Sequence, residues 1–218
     1  RGVASDDVDV RAIAHGAQDP HHVEARPSHM RRMRDADLLV YNGLGLEVGW
    51  LPLLVDGSRN RRIATSSDGR LDASKGVEIL DVGARADRSH GDVHPEGNPH
   101  YTLDPRNGLI VATAIRARLR ELGSASEDGF DTDLKAKIRE WERRSKGWKG
   151  IKVVAHHKQW EYLARWLRLE IVGYIEERPG IPPSPRHLRA LMQTIQTEDV
   201  ALILHSTHVD PRSASGLG

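Results

Sequence analysis

"KVVAHHKQWEYLARWLRLEIVGYI", residues 152–175, reads as strand, helix, strand. "KVVAH" (152–156) is an apolar run short enough for a strand, "KQWEYLARWLRL" (158–169) has helical character, and "EIVGYI" (170–175) is a second strand. Two strands joined through a helix form the βαβ unit of a parallel sheet. The same order continues downstream. "PSPRHLRALMQTIQ" (183–196) is a helix with proline near its start, and "VALILH" (200–205) is a further strand.

Upstream the alternation begins again. "VDVRAIA" (8–14) alternates apolar and polar residues as a short strand does. Ser28 is placed to cap a helix that starts at "HMRRMRDA" (29–36), and "DLLVYN" (37–42) is a buried strand. A helical stretch carrying Trp50, Leu53 and Leu54 follows, with "RRIATS" (61–66) and "VEIL" (77–80) as two more strand candidates. Between the two βα regions lie "RNGLIVATAIRARLREL" (106–122), opened by Asp104-Pro105, and the highly charged "FDTDLKAKIREWERRSKGW" (130–148). The expected fold is α/β: a lobe over residues 1–125, a linking helix over 126–149, and a second parallel-sheet lobe over 150–218. No internal repeat or low-complexity tract interrupts this order.

The composition narrows the function. Lys and Arg number 32 against 31 Asp and Glu, so the formal net charge is +1 and the chain lacks the one-sign field of a nucleic-acid binder. The absence of cysteine excludes disulfides, thiolate metal sites and a cysteine nucleophile. Twelve histidines stand against one Phe and four Tyr, which turns attention to metals. No run has the length of a membrane helix. The chain opens on "RGVASDDVDV" and closes on "SASGLG", and both ends are expected to be cut, with the second lobe incomplete.

Three histidine-bearing segments follow expected strands, where parallel α/β sheets bind their ligands. They are "DPHHVEARPS" (19–28), "GDVHPEGNPHYTLDP" (91–105) and "AHHKQWEY" (155–162). Each has a plain structural account: a polar turn before a helix cap, a solvated loop between two proline turns, and a strand end running into a helix. His100 lies between the Asn98-Pro99 and Asp104-Pro105 turns, a rigid setting that suits a ligand of fixed geometry. Three imidazoles with a water or carboxylate make four-coordinate zinc. The spacing is neither a zinc finger nor H-E-x-x-H, and no phosphate loop or serine-hydrolase elbow is present. The Arg/Lys run in 135–149 reads as a solvated helix face.

"DPHHVEARPS", "DADLLVYNGLGLE", "GDVHPEGNPHYTLDP", "VVAHHKQWEYLARW" and "IEERPGIPPSPRHL", taken in this order, resemble the metal-binding receptors of bacterial ABC importers for zinc and manganese, in particular the zinc-uptake group. The resemblance covers nearly the whole chain. It implies two α/β lobes joined by a rigid helix with the metal in the cleft, and the ligands His21, His100 and His157. A histidine rather than a glutamate at the third place implies Zn²⁺ more than Mn²⁺. The implied partners are the metal ion and a membrane permease, with no nucleic acid, and the implied site of action is the periplasm or the outer face of the membrane as a monomer. The family's fourth ligand, a carboxylate, is expected beyond Gly218; His205, His208 and Asp210 are substitutes, and water is the expected occupant. Thr102 stands where an aromatic is usual, and Arg168 where a glycine is usual. The segment 87–100 resembles a short form of the family's histidine-rich loop, with His90 and His94 as transient zinc contacts or plain exposed loop residues.

The competing reading is a zinc-dependent hydrolase using the same three histidines, with Glu24, Asp104 or Glu176 as conceivable bases. A metal-independent sugar or peptide receptor is the third.

Overall fold

The computed structural model describes residues 2–16, 18–82, 94–127, 129–176 and 181–207. Expectations for His90, His208 and Asp210 therefore lie outside the described residues. The chain divides into two units, residues 1–78 with 105–137, and residues 79–104 with 138–218. The sequence-based boundaries at 125 and 150 put 79–104 in the first lobe; the packing draws it into the second unit. Among the described residues, no helix is long and apolar enough to cross a membrane.

In the first unit the helix α1 (Pro27–Arg34) precedes the strand β1 (Leu39–Tyr41), which leads through α2 (Leu51–Ser58) to β2 (Arg70–Asp72). The two strands pair in parallel, Leu39 with Arg70 and Tyr41 with Asp72. Helix α3 (Pro105–Glu121) and the first part of α4 (Gly129–Arg144) belong to the same unit. Trp50, at the N-cap of α2, and Leu51, Leu54 and Val55 on its apolar face join a core shared with Val23, Met33 and Ile63. Leu54 and Ile63 are fully buried, so truncating either leaves a cavity costing about 2–5 kcal/mol. Asn60 secures the end of α1: its Nδ2 donates to the carbonyls of Met33 at 2.8 Å and Ala36 at 2.7 Å. On the α3–α4 side, Arg116 holds both carboxylate oxygens of Asp131 at 2.8 Å.

Several local expectations fail here for physical reasons. Helix α1 starts before Ser28: Arg26 takes the cap position without a side-chain bond, and Pro27, its φ already set for a helix, opens the first turn. Residues 8–14 form no strand; Val10 is 43% exposed, so the alternation has no sheet to bury it. "RRIATS" becomes a 3-10 turn over Arg61–Ile63, because the Asn60 side chain accepts from the Arg62 N–H at 3.0 Å and rolls Ile63 into the core. "VEIL" pairs with no strand either. The Leu80 N–H donates to the Tyr162 hydroxyl at 2.9 Å, and its carbonyl accepts from the Asn98 N–H at 2.9 Å, so a loop and a tyrosine use the groups a ladder needs.

The second unit is built as the opening stretch predicts. Strand β3 (Lys152–Ala155), helix α5 (Glu161–Leu167), strand β4 (Glu170–Tyr174), helix α6 (Pro185–Thr197) and strand β5 (Leu202–Leu204) form a parallel sheet in the order β4-β3-β5. Ser184 caps α6, accepting from the His187 N–H at 3.2 Å, and Pro185 opens the helix. The core gathers Val154, Ile175 and Leu191, with Val172, Leu188, Ile195 and Ile203 around them. Gly173 is required where α6 crosses β4: a Cβ there would stand 2.6 Å from Leu191 Cδ1. The β3–β4 register slips by one residue after Val153, so that Val154 faces Gly173.

Candidate metal centre

Each histidine singled out from the sequence is positioned by its own short-range device. His157 follows the end of β3. Hydrogen bonding between β3 and β4 continues past the strands, with the Ile175 N–H donating to Ala155 O and the Glu176 N–H to His156 O, both at 2.9 Å. A one-residue slip reverses which face later side chains occupy. The slip after Val153 therefore sets the face of Glu176, whose carboxylate stands 2.6 Å from His157 Nδ1. Both side chains are about one-seventh exposed.

His100 caps the 3-10 turn Tyr101–Leu103, and its N–H donates to the Asn98 side-chain oxygen at 3.0 Å. Asn98 is itself tied down. Its Nδ2 reaches Glu161 at 3.1 Å and Asp81 at 3.3 Å, and its carbonyl accepts from the buried Tyr162 hydroxyl at 3.0 Å. Tyr174 donates to the second oxygen of Glu161 at 2.7 Å. Burial, and then the Glu161 carboxylate beside it, push the Tyr174 phenol far above its ordinary value and keep it protonated. Gly97 carries φ +114°, and any Cβ there would run into Ile79 and Leu80; only glycine lets the chain enter this loop.

These supports bring three imidazoles of the second unit together. The His100 and His157 rings meet edge to face with centroids 6.0 Å apart, and the His94 and His100 rings do so at 6.5 Å. His156, the neighbour of His157, instead continues the sheet, its N–H donating to Leu204 O at 2.7 Å. His205 is exposed and lies by Ser206.

In the first unit His21 sits on a turn closed by Asp19. One carboxylate oxygen accepts from the His21 N–H at 2.9 Å and stands 2.8 Å from its Nδ1. Burial raises the cost of charging Asp19, but the two bonds from His21 and its ring charge outweigh it and hold the carboxyl below its usual value. Trp50 Nε1 donates to Pro20 O at 2.9 Å, fastening the turn to the core. His22 is exposed while Val23 is buried, so the chain selects His21 as the shielded member of the pair.

His21 and His157 thus share one arrangement. A carboxylate only accepts hydrogen bonds, so when either ring gives up its charge to bind a metal, Nδ1 keeps the proton and Nε2 presents its lone pair. Carboxylates that orient histidine in this way accompany metal-ligating imidazoles. The sequence reading reached the histidines but not Asp19 as an orienting group, and it weighed Glu176 only as a base. Asp19 carried a signal, an Asp two residues before a histidine across Pro20; Glu176 carried none, since only the strand register brings it to His157.

The model of the family described as zinc-uptake complex component A, periplasmic (ZnuA), matches residues 1–217. The chain belongs to that family. Among relatives, the metal ABC transporter substrate-binding lipoprotein ScbA of Streptococcus cristatus is 28% identical over 141 residues, 63% of this chain and 42% of its own length. The manganese ABC transporter substrate-binding lipoprotein PsaA of Streptococcus mitis is 28% identical over 138 residues, 62% of this chain and 41% of its own. An iron-named relative, MtsA of Streptococcus pyogenes serotype M1, is 26% identical over 149 residues, 67% of this chain and 45% of its own. The chain spans about two fifths of the length of the curated relatives it matches. A crystal structure of ZnuA superposes with a TM-score of 0.74 at 25% identity, covering 98% of this chain and 80% of that one. A zinc-bound ZnuA deletion mutant superposes with a TM-score of 0.76 at 23% identity, covering 98% and 78%, and shows the shared fold. The family is thus described as a periplasmic zinc-uptake component, and the relatives are named substrate-binding lipoproteins of metal ABC transporters.

The hydrolase alternative finds no support in these relationships, and its conceivable bases are committed elsewhere. Glu24 is 72% exposed and pairs with Arg26 at 2.7 Å, Glu176 holds His157, and Asp104 is buried.

Proposed function

We propose that this chain is the metal-binding part of an extracytoplasmic receptor that carries Zn²⁺ to the permease of an ABC importer, with His21, His100 and His157 as the ligands. The observation that carries this reading is the His100–His157 pair: two imidazoles 6.0 Å apart, one held by Glu176 in the tautomer that offers Nε2. The Asp19–His21 arrangement supplies a third nitrogen of the same kind. An all-imidazole set favours zinc, since manganese prefers carboxylate oxygens. The fourth position goes to water or a carboxylate, as zinc requires. In this reading the neutral imidazoles displace the ion's water shell. Protons compete for the same nitrogens, so affinity falls as pH drops through the histidine range.

The test is a competitive zinc titration against a chromophoric chelator, on the wild type and on His21→Ala, His100→Ala and His157→Ala. Each substitution is expected to weaken zinc binding by about 10-fold or more. Unchanged affinity in all three overturns the assignment, and tighter binding of manganese than of zinc overturns the choice of metal. Docking to the permease and action as a monomer belong to the same proposal, and sedimentation of the zinc-loaded chain tests the latter.

A further inference from the structure

Apart from the His21 turn, the first unit carries a polar cavity of about 360 Å³ whose chemistry the metal does not use. Three cations line it: Arg70 at the start of β2, Lys75 just beyond that strand, and Arg118 on α3. Two of them are held in place. The Arg70 guanidinium lies 4.7 Å above the Tyr41 ring and donates to Thr65 Oγ1 at 3.3 Å. Arg118 donates to the Asp68 carbonyl and pairs with Glu121 at 2.8 Å. A guanidinium has five N–H donors, so each arginine keeps donors beyond those it spends on its anchors.

The wall facing them is a hydroxyl-bearing turn, Thr65-Ser66-Ser67. Ser67 Oγ is spent on the carbonyls of Arg62 and Ala64 at 2.6 and 2.7 Å. Ser66 is held at φ +71°, a left-handed conformation that a residue with a Cβ rarely adopts and that concentrates at ligand-binding loops. Two carboxylates also line the space. Asp68 and Asp72 both keep their charge there, although Asp72 Oδ1 is spent on the Ser74 N–H at 2.9 Å and the Ser74 hydroxyl at 2.7 Å. Three cations thus stand with two carboxylates in the lining, in a concave space whose two arginines are fixed beforehand.

We propose that this cavity binds a small oxyanion of the phosphate class, gripped by Arg70, Lys75 and Arg118 with the Thr65–Ser66 hydroxyls as further donors. Planar guanidinium forks suit a tetrahedral oxyanion, and prior anchoring lowers the ordering cost of binding. The anion comes either as free phosphate or as a phosphate ester, whose body would fill the rest of the space.

Calorimetric titration of the metal-free chain tests this, with inorganic phosphate in one arm, glycerol 3-phosphate in the other, and ionic strength held constant. Saturable binding is expected in at least one arm, and the tighter arm identifies the source. Lys75 is exposed and outside the core, so Lys75→Ala leaves the fold intact; it should weaken binding by about 10-fold, as loss of a charge-assisted bond does. Asp68→Asn should keep or strengthen it. Absence of saturable binding in both arms, an undiminished affinity in Lys75→Ala, or abolition by Asp68→Asn overturns the proposal. Zinc affinity in Lys75→Ala is expected to equal the wild type, which keeps this result separate from that of the metal assignment.

Discussion

Glu176 stands 2.6 Å from His157 Nδ1, and Asp19 holds His21 Nδ1 at 2.8 Å, so two carboxylates that need touch no metal decide which nitrogen each ring offers. Glu176→Gln keeps the shape but can present its amide N–H to the ring, favouring the wrong tautomer. We expect it to weaken zinc binding by about 10–100-fold while the circular-dichroism spectrum stays unchanged; an affinity equal to the wild type would show that Glu176 plays no part. Asp19 carries a second consequence, in stability. Its carboxyl is held below the usual 3.8, so its folded form binds fewer protons than its unfolded form in that range. The stability it contributes is present above pH 3.8 and is lost as pH falls through the folded value. In the metal-free chain, Asp19→Asn should therefore lower the urea midpoint at pH 7 and converge with the wild type under more acidic conditions; a gap of constant size across pH sinks this account. The turn residues marked the histidine-bearing segments, and the family resemblance chose His21, His100 and His157 among them. Glu176 was not legible, because nothing in local sequence announces a neighbour made across a parallel strand pair.

At the scale of elements, the second unit was legible and the first only partly so. The segments 152–156, 170–175 and 200–205 are apolar runs separated by helices, and each contains a strand. The segments 61–66 and 77–80 also read as strands, but a side-chain cap at Asn60 and the Tyr162 hydroxyl took their backbone groups. A strand needs a partner, and a partner is a property of the fold rather than of six residues. Arg168, where the resemblance implied a glycine, is the left-handed C-cap of α5, at φ 58° and ψ 36°. Its N–H bonds to Ala164 O, so the cap forms despite the Cβ. Left-handed geometry costs an L-residue about 1–2 kcal/mol, against which glycine loses up to about 1 kcal/mol of unfolded-chain entropy. Arg168→Gly should accordingly stabilise by about 0.5–1 kcal/mol in equilibrium denaturation, with zinc affinity untouched. Gly97 tests the opposite case. At φ +114° with Leu80 O 3.0 Å from a would-be Cβ, Gly97→Ala should lose about 2 kcal/mol or more and weaken zinc binding, since the same loop carries His100.

For the whole molecule, the proposed ligands belong to different units: His21 to the first, His100 and His157 to the second. An ion that binds the folded chain and not the unfolded one stabilises it by mass action, about 2.7 kcal/mol when free metal stands at a hundred times the dissociation constant. If all three histidines hold one ion, that stabilisation must reach both units. A probe in each can tell them apart. Trp50 lies in the first unit, bonded to Pro20 next to His21, while Trp141 and Trp166 pack edge to face in the second with centroids 6.2 Å apart. We expect zinc to raise the urea midpoint reported by either probe, each observed in a variant whose other tryptophans are Phe. His21→Ala should cancel most of the shift in both. A zinc shift confined to the Trp141–Trp166 probe and indifferent to His21→Ala would mean that the second unit binds the metal alone, through His94, His100 and His157, whose rings already stand together there. Lowering the pH through the histidine range should shrink the shift in parallel at both probes, because protons compete with zinc for every ligand at once.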